Sequence, residues 1–153
     1  MKHFLALMIL LATVCCPGCQ GGGLPGLVPC HGVVTLDGNP IEGATVMLIP
    51  GNSDATLRNA IGVTDAAGKF RMTTLKENDG VMPGTYTVTV TKQEKSGEVI
   101  VLPEIDSETG ERITFEPSVN RLPAVYENQM KSPLEITVPK GGVKTAAFEL
   151  KSS

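Results

Sequence analysis

Tryptophan is absent from this chain, and its aromatic rings come from four Phe and two Tyr. A buried core must therefore be built from aliphatic side chains, with rings at a few points only. Charge is scarce as well. Asp, Glu, Lys and Arg make up 19% of the residues, and the balance at neutral pH is −3. Neutralising phosphate needs a basic face, so nucleic acid is excluded as a partner. Histidine is limited to His3 and His31. There is no Gly-x-Ser-x-Gly elbow, no His-Glu-x-x-His and no phosphate-binding Gly loop, so the usual routes to hydrolysis are missing. No hydrophobic run reaches the roughly 20 residues of a membrane-spanning helix.

Gly and Pro are abundant, at 17 and 11 of 153 residues, beside an apolar content of 41%. Many turns, few charges and room for one core describe a single all-β domain. Its clearest strand is Thr85–Thr91, delivered by Pro83-Gly84. Tyr86, Val88 and Val90 alternate there with four Thr, the period of a half-buried strand. Every residue in it is β-branched or aromatic, types that suit a pleated surface.

The N-terminal segment is an address. Lys2 precedes the eleven-residue apolar run Phe4 to Val14, the length of a secretory h-region. Cys15-Cys16-Pro17-Gly18-Cys19 follows, then a Gly tether. This order resembles the lipobox of bacterial lipoproteins, in which the signal is cut before a Cys that receives lipid. Cys19 has the small Gly18 before it and is the expected lipidation site. Cys16 stands three residues earlier, where the pattern has Leu or similar, and remains a second candidate. The expected division is a signal peptide over 1–18, a flexible tether over 19–29 and a folded domain over 30–153. Cleavage there removes Lys2, which takes Lys+Arg from 13 to 12 against 16 acids and leaves −4. Cys30 is then the free thiol. The spacing Cys16-Pro17-Gly18-Cys19 matches a redox motif, but the βαβ context that motif needs is missing.

Within the domain, His31–Leu36 reads as the first strand, closed by the hairpin dipeptide Asp37-Gly38. Gly43–Pro50 follows, with Ala44, Val46 and Leu48 on one face. Arg58–Thr64 is a weaker strand. Asp65 to Gly68 is a tight turn, and Lys69–Thr73 returns with Phe70 and Met72 inward. Pro133–Val138 and Thr145–Leu150 complete seven main strands, and Tyr86, Val88, Phe70 and Phe148 are expected to share the core between two sheets. Residues 93–130 are too long for a bare loop, and an extra loop or hairpin is expected there, with Val99–Leu102 and Arg112–Phe115 around Asp106 to Gly110. Arg121–Tyr126 reads as an extended connector docking Leu122 and Tyr126.

The residues Gly32-Val33-Val34, Asp37-Gly38, Pro40 to Val46, Thr64 to Phe70 and Pro83 to Tyr86 resemble the carboxypeptidase regulatory-like domain, a family similar in fold to transthyretin. The resemblance covers 32–91 and rests on turn and core positions, which specify a fold more than an activity. It implies a seven-stranded antiparallel β-sandwich of the transthyretin (prealbumin) type, and points to the family's short bacterial lipoproteins.

Candidate chemistry is thin. Cys30 and His31 are neighbours on a strand, so they point to opposite faces and do not form a nucleophile pair. Asp106 to Glu111 is faintly like a calcium loop but lacks a third acidic position before Gly110 and a distal bidentate Glu. No catalytic residue, metal ligand or cofactor is therefore assigned. The expected role is a non-enzymatic, lipid-anchored module of the cell envelope, facing the periplasm or exterior. Gln20 after the lipidated Cys favours the outer membrane. Its partners would be the membrane and an envelope protein or glycan. The alternative is an accessory subunit of a secreted enzyme or transporter.

Overall fold

The computed structural model describes residues 26–51 and 56–152. The signal segment, Cys16, Cys19 and the tether up to residue 25 lie outside the described residues, as does most of the 51–56 loop. In chain order the strands are β1 (Cys30–Leu36), β2 (Asn39–Pro40), β3 (Thr45–Pro50), β4 (Ala60–Val63), β5 (Lys69–Arg71) and β6 (Gly84–Thr91). There follow β7 (Gln93–Lys95), β8 (Ile100–Ile105), β9 (Arg112–Phe115), β10 (Ser118–Asn120), the single-turn helix α1 (Ala124–Glu127), β11 (Glu135–Val138) and β12 (Val143–Leu150).

Two four-stranded sheets face one core. One runs β12-β1-β2, with β5 also on β1; the other runs β11-β6-β3-β4. β6 buries the inner set that its alternation names, with Tyr86, Val88 and Val90 all fully buried between β3 and β11, while Thr89 of the opposite set is buried as well, at 7% exposure. Ala44, Val46 and Leu48 are likewise at 0% exposure. From the other sheet come Val34, Phe70, Met72, Phe148 and Leu150, and all of these belong to one buried cluster. The Phe70 and Phe148 rings stack with centroids 5.7 Å apart. Gly32 makes room for them, because a Cβ there would lie 2.5 Å from a Phe70 ring carbon and from the Ala146 carbonyl. The Tyr86 hydroxyl donates to the Met82 carbonyl at 2.8 Å, which lets the ring be buried without an orphaned donor.

The predicted turns form. Asp37 and Gly38 both have positive φ, 50° and 83°, the primed hairpin geometry that matches strand twist. Asp65 Oδ1 accepts the N–H groups of Ala67 and Lys69, each at 2.9 Å.

Two expectations are corrected. The sheets are not wholly antiparallel: β1 and β12 pair in parallel from Cys30–Val143 to Leu36–Leu150, with a bulge between Cys30 and Gly32. Turn signals report only pairs close in sequence, and this pair is separated by most of the domain. Arg121–Tyr126 is not extended throughout: the Tyr126 N–H bonds the Pro123 carbonyl at 3.0 Å and starts α1. Leu122 and Tyr126 are buried as expected; their spacing of four serves a helical turn as well as a strand. The Tyr126 hydroxyl accepts the Lys151 N–H at 2.9 Å, tying α1 to the end of β12.

Between β6 and α1 the chain leaves the sheets as two ribbons. β7 and β10 form a short stem, and β8 and β9 form the hairpin beyond it. Ion pairs of Glu94 with Lys92 and Arg121, and of Lys95 with Glu116, lace the stem at 3.0–3.1 Å. Asn120 Oδ1 accepts the Lys92 and Leu122 N–H groups and closes its base.

Candidate functional site

The sheet edge where β4 meets β5 shapes the main concavity. β4 pairs with β3 on one side, and Ile61 bridges to Thr73 just past β5 on the other. The outer faces of β4, β5, β1 and β12 thereby run together. They enclose a groove of about 920 Å³.

Strand alternation decides what lines it. Ala60 and Gly62 point inward on β4, so Ile61 and Val63 point out and stand 42% and 60% exposed. Phe70 points inward on β5, so Lys69 and Arg71 point out. On β1, Cys30, Gly32 and Val34 face the core and His31 and Val33 face the groove. Lys144 and Ala147 of β12 complete the lining. The floor is apolar and three cations stand around it. Among the described residues, Lys69, Arg71 and Lys144 have no carboxylate within ion-pairing distance, and the three ion pairs found all lie in the stem. Asp65 and Glu77 also border the groove. Asp65 is engaged by its own turn, and Glu77 lies on the exposed Lys76–Asn78 loop.

That loop is rigidly held at its base. Asp79 Oδ1 accepts the Thr74 N–H at 2.7 Å, and Oδ2 accepts those of Leu75 and Lys76 at 3.0 and 2.9 Å. Burial pushes the Asp79 carboxyl up, but the N–H groups of Thr74, Lys76 and Leu75 outweigh it and hold the group below its usual range.

Cys30 and His31 lie on opposite faces of β1, as adjacency requires. Cys30 is 1% exposed, and burial pushes its thiol up to about 11, so it is held as the unreactive thiol. His31 is half-buried and lines the groove. Asp106 spends its Oδ1 on its own turn, accepting the N–H groups of Thr109 and Glu108 and the Thr109 hydroxyl. These bonds hold its carboxyl below the usual range. Among the described residues, no group of three His, Cys, Asp or Glu side chains is placed to hold a metal ion. Among them, too, no helix is long and apolar enough to cross a membrane.

The second notable surface is the β8–β9 hairpin. Ile100 sits opposite Phe115, and Val101 opposite Thr114. Ile100, Val101, Ile105 and Phe115 are each more than 40% exposed, and no strand of either sheet pairs with the hairpin. Residues 98–112 carry five acids against the single Arg112. The sequence marked this segment as an extra loop or hairpin, whereas the three groove cations went unmarked. Lys69-Phe70-Arg71 did carry a signal, since alternation around Phe70 puts both cations on one outer face. Their convergence with Lys144 and Ile61 depends on strand pairings distant in sequence.

Comparison of the chain with family models, with curated proteins and with solved structures returned no match.

Proposed function

We propose that this protein is a lipid-anchored, non-enzymatic module of the cell envelope. Its groove would hold an extended anionic partner, a protein segment or an acidic glycan, without performing chemistry on it. The observation that carries this reading is the apolar floor of Ile61, Val63 and Val33 ringed by Lys69, Arg71 and Lys144, none of them ion-paired among the described residues. Binding surfaces combine apolar contact with complementary charge in this way. A buried, high-pKa Cys30 turned away from His31 also supports a binding role over a thiol-based one.

Anchoring rests on the order of Lys2, the apolar run, Gly18, Cys19 and the Gly tether. Acyl chains on Cys19 would hold the domain at the membrane, each buried CH₂ contributing about 0.8 kcal/mol. The turn and core residues of 32–91 support a carboxypeptidase regulatory-like sandwich. Strands β1, β3, β4, β5, β6, β11 and β12 would be its seven.

Two experiments test the reading. In detergent phase separation of cells, Cys19→Ala should move the protein to the aqueous phase. Release by Cys16→Ala instead would reassign the lipid, and release by neither would end the anchor proposal. For the groove, poly-glutamate should bind the full chain, and a Lys69→Glu/Arg71→Glu/Lys144→Glu variant should lose that binding. Equal binding by both proteins would refute the groove as the site.

A further inference from the structure

The partner that best fits the groove is on the same chain. We infer that the β8–β9 hairpin of one copy docks in the groove of a second copy, a contact that rests on the groove reading above.

The two surfaces are complementary in both charge and apolarity. The groove offers exposed Ile61 and Val63 within a ring of Lys69, Arg71 and Lys144. The hairpin offers exposed Ile100 and Phe115 side by side, with Glu104, Glu108 and Glu111 toward its tip. An isolated two-stranded hairpin is marginal in water, and this one is not covered by either sheet. Docking would bury its apolar residues and supply the groove cations with carboxylates. Asp106 is left unchanged in the variants below, because its Oδ1 shapes the turn at the tip.

Position favours a partner over self-closure. The hairpin stem starts at Lys92 and Arg121, which share a hollow with Leu36, Asp37 and Pro40 at the far end of β1. The groove lies toward the start of β1, around His31 and Val33. Hairpin and groove are different surfaces and every copy carries both, so two copies can exchange hairpins and close as a two-fold dimer. Where the exchange is not reciprocal, each end copy presents one free hairpin or one free groove, and the assembly grows head to tail until it closes as a ring or extends as a filament.

The test is sedimentation of the full chain in neutral detergent, at less than one protein per micelle. Mass should rise with protein concentration and fall with added salt, which screens the charges. The groove variant Lys69→Glu/Arg71→Glu/Lys144→Glu sets acid against acid. The hairpin variant Glu104→Lys/Glu108→Lys/Glu111→Lys sets base against base. Each alone should associate at least about a hundredfold more weakly than wild type, since like charges brought together cost several kcal/mol. Mixed, they carry reversed but matching surfaces and should associate again, a recovery that a misfolded variant would not give. A wild-type chain that stays monomeric at millimolar concentration would overturn the proposal. So would association that neither variant weakens, or a mixture that fails to recover. If wild type is monomeric yet binds poly-glutamate through the groove, self-docking is wrong and the groove reading stands. If it does neither, both fall.

Discussion

Replacing Tyr86 should unfold the domain sooner than any change on the opposite face of the same strand. Tyr86 is fully buried near the start of β6, opposite Pro50 on β3 and Ile136 on β11. Tyr86→Ala removes the ring and leaves a cavity that the surrounding core fills only partly. Losses of buried aromatics cost about 3–5 kcal/mol. For a domain of this size each kcal/mol moves Tm by roughly 3–5 °C, so a fall of about 10–25 °C is expected. Tyr86→Phe separates the ring from its hydroxyl. It forfeits the 2.8 Å bond to the Met82 carbonyl and should cost about 0.5–1.5 kcal/mol. Thr87→Ala, on the outer face, should stay within about 0.5 kcal/mol. Urea titration with thermal circular dichroism reads all three. The midpoint should move at constant slope, because the surface exposed on unfolding hardly changes. Comparable losses for Tyr86→Ala and Thr87→Ala would refute the assignment of an inner and an outer face to β6.

The Cys30 thiol, buried and pushed up to about 11, should resist iodoacetamide at pH 8 in the folded protein and react fully in denaturant; ready labelling of the native state would place it elsewhere. Asp79 has a folded pKa below its unfolded one, so its contribution is complete above the unfolded value, near 3.9, and is lost as pH falls through the lower folded value. Wild type should therefore lose stability relative to Asp79→Asn between pH 5 and pH 2 in paired urea titrations; parallel curves would show that the three N–H bonds to the carboxylate do not contribute.

What could be read in advance was whatever the chain states locally. Alternation placed Tyr86, Val88, Val90, Phe70 and Phe148 inside, and the Asp37-Gly38 and Asp65 to Gly68 turns follow from side chains that bond nearby amides or accept positive φ. The β8–β9 hairpin was legible for the same reason, as two apolar runs about a polar turn. The parallel pairing of β1 with β12 was not, because nothing in either strand names a neighbour more than a hundred residues away. The groove inherits that blindness. Lys144 comes beside His31 only through the β1–β12 pairing, and Ile61 comes beside Arg71 only through the bridge to Thr73. The stem was missed too, since three-residue strands held by ion pairs carry no hydrophobic period.

The β1–β12 pairing also sets an order in time. β1 is made first, yet one of its two edges finds a partner only when Val143–Leu150 arrives. Phe70 likewise waits for Phe148 before its ring has a face to stack on. Closing a loop this long costs chain entropy before any contact offsets it, and topologies dominated by such pairs fold in milliseconds to seconds rather than microseconds. A slow folder stays open for longer after synthesis begins. The sheet therefore cannot seal until the last strand of the domain has been made.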